Sequence, residues 1–173
     1  MENDIRVYIS GPLTGAPDLR AARLYYERLA QVCRQEGLVP YLPHTESDPQ
    51  LHAGESAETV FKRDLHHLLS SQLIVAFIGS PSLGVGAELA LASEKDIQII
   101  AIRRPGDTVS RFLLGMLITS QAYDMVIPDE RVEAELPNVL NIAVSKIRER
   151  IQDLQTKRLG VSREVRVGST IDY

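Results

Sequence analysis

Cysteine occurs once in the 173 residues, at Cys33, so no internal disulfide can form. That suits a reducing compartment, and a cytoplasmic location is the expectation. No apolar run approaches the ~20 residues that span a bilayer, so no membrane partner is expected. The opening Met1-Glu2-Asn3-Asp4 is acidic and lacks the basic-then-apolar order of a secretory signal. Positive charge is short as well: 19 Lys and Arg against 23 Asp and Glu leave a net charge of −4. Duplex binding needs basic side chains on phosphates, so nucleic acid is not expected as a partner. Of the two basic concentrations, Arg103-Arg104 and the group Arg148, Arg150, Lys157 and Arg158, the second reads as a solvated helix face.

Several motifs are missing too. The glycine-rich stretch near residue 84 is followed by no Gly-Lys-Ser/Thr, which excludes a Walker A loop, and it is not a G-x-G-x-x-G. His44, His52, His66 and His67 fall into no ligand spacing, so neither a metal nor another cofactor is predicted. No serine or cysteine nucleophile with a credible base stands out. Repeats and low-complexity tracts are absent.

What remains is an alternation of apolar runs and helical patterns long enough for one sizeable core. Ile5–Ile9 reads as a first strand, closed by Ser10-Gly11-Pro12. A helix follows over about 18–36, with Asp18 as N-cap and Gly37 at its C-terminal glycine position. Residues 38–42 give a second strand, 43–56 a polar loop, and 57–71 a helix whose buried stripe is Phe61, Leu65 and Leu68. Residues 73–78 form a continuous apolar run that suits a central parallel strand covered on both faces. Helices at 87–95 and 109–121 flank a fourth strand at 97–102, and 123–127 makes a weaker fifth. Leu136, Leu140, Val144, Ile147, Ile151 and Leu154 then mark a long amphipathic helix over about 132–156. The sum is a single-domain α/β fold: a doubly wound, five-stranded parallel sheet with helices on both faces over residues 1–157. A tail without pattern occupies 158–173. The length of the last helix and its apolar seam suggest a homodimer or a higher homo-oligomer.

Ligands on such sheets bind beyond the carboxyl ends of the strands, and two turns there are unlike plain connectors. One is Tyr8 to Gly15; the other runs from Gly79 to Glu88 and places a glutamate in the first turn of a helix. A carboxylate there is expected to stay ionised, as a nucleophile must. Glycines at 84 and 86 let backbone amides approach a ligand. On spacing alone, the plainer reading of Glu88 is a complement to the helix dipole, and that of Asp64 a solvated helix carboxylate. His66 and His67 read as surface residues, and Cys33 as a core thiol.

Tyr8-Ile-Ser-Gly, Asp64 before the central strand, Tyr26-Glu-Arg-Leu and above all Pro81-Ser-Leu-Gly-Val-Gly-Ala-Glu88-Leu resemble the nucleoside 2-deoxyribosyltransferase superfamily. The likeness covers about residues 5–127 and is nearest to the 2′-deoxynucleoside 5′-phosphate N-hydrolase branch. It implies a small-molecule nucleotide or nucleoside substrate and a homo-oligomer. It also implies a two-step retaining mechanism with Glu88 as nucleophile, Tyr8 holding it in line and Asp64 donating a proton to the departing base. Substrate contacts are implied for Ser10, Gly11, Leu13, Thr14, His44, Ser82, Gly84 and Gly86. Ser82 stands where transferases carry aspartate, which favours a 5′-phosphate that an aspartate would repel. Three other phosphate ligands of the branch fall on Pro12, Thr14 and Leu114 here. Base exchange by a transferase, and a nucleotide-binding module without turnover, are the alternatives.

Overall fold

A computed structural model describes residues 4–13, 16–46 and 54–167, with side chains through 157. Five strands, β1 (Arg6–Ser10), β2 (Val39–Tyr41), β3 (Leu73–Phe77), β4 (Gln98–Arg103) and β5 (Tyr123–Val126), form one sheet in the order β2-β1-β3-β4-β5. Every pairing is parallel. The expected doubly wound parallel sheet is therefore present. Among the described residues, six α-helices connect and cover the strands: α1 (Leu19–Gln35), α2 (Pro43–Glu46), α3 (Ala57–Leu69), α4 (Leu83–Glu94), α5 (Arg111–Thr119) and α6 (Val132–Val167).

Alternation along the strands divides the core in two. Val7, Ile9, Val75, Phe77, Ile100 and Ile102 face α1 and α6, whereas Tyr8, Ile74, Ala76, Ile99 and Ala101 face α3, α4 and α5. All five β3 residues are buried, as a strand covered on both faces requires. Chain order reverses between β1 and β3, and the crevice beyond their carboxyl ends is where this topology places a ligand.

Local signals fix the helix starts. Asp18 Oδ1 accepts the Ala21 N–H at 2.9 Å to open α1, and Ser56 Oγ accepts the Thr59 N–H at 3.1 Å to open α3. Gly37 follows α1 at φ +73°, a conformation that favours glycine.

Expectations about four segments need correction. The helix expected over 87–95 begins at Leu83, because Ser82 caps it and Gly84 and Gly86 are helical residues and not part of a turn. Phe61, expected in the buried stripe of α3, is 58% exposed. The polar loop after β2 contains the short helix α2. Most of the α6 seam is already used: Leu136, Leu140, Val144 and Ile147 pack into the chain's own core and Ile151 packs against it, while Leu154 stays 60% exposed. Helix α6 also continues to Val167, past the expected start of a tail. Arg148, Arg150 and Lys157 lie on its exposed face, and the tail from 168 on, with Tyr173, is outside the described residues.

Candidate active site

The chemistry-bearing residues converge on a cleft of about 520 Å³ at the reversal between β1 and β3. β1 delivers Ser10 and Gly11, with Leu13 beyond them. α3 delivers Val60 and Asp64. The β3–α4 turn and α4 deliver Pro81, Ser82, Leu83, Gly84, Val85 and Glu88, and Pro43 closes one side. Tyr8 lies behind this wall, fully buried.

Glu88 is held by two hydroxyl donors. The Tyr8 hydroxyl donates to Oε1 at 2.8 Å, and the Ser10 hydroxyl donates to Oε2 at 2.5 Å. Both come from one strand even though Tyr8 and Ser10 share a face, because residues two apart point the same way. Burial raises the Glu88 carboxyl above its usual range, the Ser10 and Tyr8 bonds oppose that rise, and the negative charge of Asp64 adds to it. This differs from the sequence-based expectation. Counting from the Ser82 cap, Glu88 falls in the second turn of α4, beyond the reach of the free N–H groups of the first. Its ionisation is supported by two side chains and not by the helix start. Tyr8 itself is pushed far up, first by burial and then by the Glu88 charge, so its phenol stays a donor at neutral pH.

The turn after β1 is clamped from α1. The Tyr26 hydroxyl donates to the Pro12 carbonyl at 2.9 Å, and a Cβ on Gly11 would stand 2.2 Å from the Tyr26 ring. Only glycine fits there, and the clamp fixes where Ser10 points. Gly84 and Gly86 are a different case: a Cβ on Gly84 would meet only Ser82 Oγ at 3.8 Å, and one on Gly86 would meet nothing. Two helical glycines cost stability relative to alanine without any contact inside this chain requiring them.

The implied site residues do not all meet. Tyr8, Ser10, Gly11, Leu13, Asp64, Ser82, Gly84 and Glu88 line or back the cleft. Gly86 faces a separate groove between α4 and α5. His44 is 6% exposed, with Nε2 3.1 Å from Glu27 Oε1 on α1, and is not among the cleft-lining residues. Thr14 and His52 lie outside the described residues. Ser82 Oγ accepts the Val85 N–H at 3.3 Å, which leaves its hydrogen free to donate. Ser10, expected to touch substrate, is committed to Glu88. Tyr41 was missed altogether: its hydroxyl donates to Asp64 Oδ1 at 2.8 Å. An aromatic at the carboxyl end of β2 was the available signal.

Among the described residues, no group of three or more His, Cys, Asp or Glu could hold a metal ion, and no helix is long and apolar enough to cross a membrane. Cys33 is a buried core thiol, pushed up to about 12 by burial.

The switch-point cleft thus brings a donor-held glutamate and an aspartate together in an α/β fold. Residues 7–136 match the family model described as nucleoside 2-deoxyribosyltransferase, and the chain belongs to that family of enzymes. It is 28% identical over 147 residues to "Putative 2′-deoxynucleoside 5′-phosphate N-hydrolase 1" of Thermofilum pendens, covering 80% of this chain and 99% of the relative. To the 5-hydroxymethyl-dUMP N-hydrolase of Esox lucius it is 28% identical over 141 residues, covering 76% and 93%. The fold matches a 2-deoxyribosyltransferase structure from Bacillus psychrosaccharolyticus with a TM-score of 0.56 at 20% identity, over 74% of this chain and 90% of that one.

Proposed function

We propose that the chain hydrolyses the N-glycosidic bond of 2′-deoxynucleoside 5′-monophosphates, giving a free base and deoxyribose 5-phosphate through a glycosyl-Glu88 intermediate. The observation that carries this reading is the carboxylate pair in one cleft, with Glu88 fixed at both oxygens by Tyr8 and Ser10. In the first step a Glu88 oxygen bonds to C1′, the glycosidic electron pair leaves with the base nitrogen, and Asp64 gives that base a proton. In the second, water attacks C1′, the Asp64 carboxylate takes its proton, and Glu88 is released. Ser82 and the first N–H groups of α4 are the cradle for the 5′-phosphate, since a helix start favours an anion. The names of the relatives support this substrate class. The test is a panel of deoxynucleosides with and without the 5′-phosphate, followed by chromatography of the free base. Release from the unphosphorylated members alone refutes the monophosphate assignment.

One observation favours a second reading, base exchange between unphosphorylated deoxynucleosides. The described lining of the cleft holds two carboxylates and no Lys or Arg, so an uncharged substrate enters against less repulsion. Adding a second free base separates the two, because only a transferase makes a new nucleoside in quantity.

The homo-oligomer implied by the resemblance needs a surface other than the α6 seam. A second copy of the chain is assigned to the groove between α4 and α5, where Leu83 and Phe112 are 96% and 86% exposed. Pro81, Ser82, Leu83 and Val85 line both this groove and the cleft, so the copy would border the site. Light scattering on Leu83→Asp that shows the same mass as the parent removes this surface. A buried, unpaired thiol at Cys33 fits a cytoplasmic location.

A further inference from the structure

We infer that Tyr41 is a positioning residue for the proton donor, holding Asp64 in register with Glu88 through a cross-strand tyrosine pair. The inference rests on the hydrolase reading and extends it to a residue outside its machinery. β1 and β2 are aligned so that Tyr8 and Tyr41 are direct partners across the ladder. Their rings pack at 5.6 Å, tilted by 36°, and each hydroxyl donates to one carboxylate at 2.8 Å: Tyr8 to Glu88, Tyr41 to Asp64. The far face of Tyr41 is covered by the His67 imidazole, parallel within 7° at 3.7 Å. The ring therefore cannot swing without breaking two packed contacts. The spacing between donor and nucleophile is thus set by neighbouring strands and not by two flexible helix side chains.

The chemistry follows from which form of Asp64 the phenol prefers. A hydroxyl binds a carboxylate more strongly than the neutral acid. As the proton passes from Asp64 to the base, charge grows on the carboxyl group and the Tyr41 bond strengthens with it, so the interaction favours the transition state over the ground state. Burial and the Asp64 bond both raise the Tyr41 phenol, which keeps it a donor throughout.

The test is Tyr41→Phe, which keeps the ring and its stacking and removes one oxygen; a thermal melt confirms the fold. Base release from purine and pyrimidine substrates is expected to fall about 10- to 100-fold in kcat. With a deoxyribosyl 5-phosphate carrying 4-nitrophenolate at C1′, whose leaving group needs no proton, the loss should stay within about threefold. In an Asp64→Asn background the Tyr41→Phe change should add almost nothing, since the two act as a unit. Equal losses on both leaving groups, an undiminished loss in the Asp64→Asn background, or full base release by the variant would each overturn the inference while leaving the hydrolase reading intact. If the parent enzyme releases no base from any substrate, the reading beneath it fails and the inference with it.

Discussion

Removing the Ser10 hydroxyl is the sharpest probe of how Glu88 is kept reactive. Ser10 is 1% exposed, and its hydroxyl serves one carboxylate oxygen while Tyr8 serves the other. Ser10→Ala leaves that oxygen without its donor in a site where burial already disfavours the charge. A hydrogen bond to a charged group contributes roughly 1.5–3 kcal/mol, equivalent to about one to two pH units in the carboxyl's ionisation. The cleft borders Ser10, so water can enter and restore part of the bond, which selects the lower end, about one pH unit. The assay is base release from about pH 4 to pH 9, since the acid limb of kcat/KM reports the free enzyme's nucleophile. That limb should move up by about one unit in Ser10→Ala, with a smaller fall on the plateau. Stability carries the same sign. The Ser10 bond lowers the folded-state Glu88 pKa relative to the variant, so the variant's deficit is present where Glu88 is ionised and disappears as pH falls through its folded pKa. An acid limb that coincides with the parent's would show that Ser10 does not support the charged nucleophile, and the account of its ionisation would be wrong.

Glu88→Gln should abolish turnover, by at least about 10⁴-fold, while the protein still folds. Because burial raises the folded Glu88 pKa above its unfolded value, ionisation costs stability, so this variant should gain on the parent as pH rises above the unfolded carboxylate range; urea melts at acid and neutral pH measure it. Gly86→Ala should raise stability by about 0.5–1 kcal/mol with kcat/KM unchanged, whereas Gly84→Ala should show a similar gain with a raised KM, because only Gly84 lines the cleft. Melting temperatures and substrate titrations of the pair decide that, and a KM unmoved by Gly84→Ala refutes close substrate approach at that position. Gly11→Ala drives a methyl into the Tyr26 ring and should lower stability by about 1–3 kcal/mol, with loss of activity as the Ser10 turn moves.

The fold was legible because its signals are local and redundant. The apolar run of β3, the capping side chain Asp18 and the 3-4 spacing on α6 each announce an element without knowledge of its neighbours. The start of α4 differs from the expectation because two glycines in four residues have the composition of a turn, while what decides the matter is a serine cap five residues before the expected helix start. Phe61 differs for a related reason: helical spacing gives a face, but whether that face is covered depends on what packs there, and Phe61 borders a small pocket between α3 and α4. The apolar seam of α6 is real, but most of it covers the chain's own sheet, a use that periodicity alone does not distinguish from a partner subunit. Within the site, the charged residues and the Tyr8 support of Glu88 follow from the resemblance, whereas the supporting roles of Ser10 and Tyr41 do not. Ser10 and Tyr41 act through contacts 78 and 23 residues away, which only the parallel register brings together.

Placing Glu88 in the second turn of α4 divides the work of that helix. A carboxylate in the first turn would compete with the substrate for the free N–H groups there, and its charge would stand against any phosphate docking on them. One turn further along, the glutamate gives up that electrostatic support and must find its own, and Tyr8 and Ser10 supply it from the adjoining strand. In the proposed reaction, the start of α4, with Ser82 and the exposed Leu83 and Gly84, is left for the part of the substrate remote from the reacting carbon. The raised Glu88 pKa follows from the same arrangement. A carboxylate buried away from the helix start is harder to ionise and, as the proposed nucleophile, once ionised is less shielded by water from the carbon it would attack. The two hydroxyl bonds set the balance between those effects, which is why loss of either should appear first in the pH profile and only second in the plateau rate.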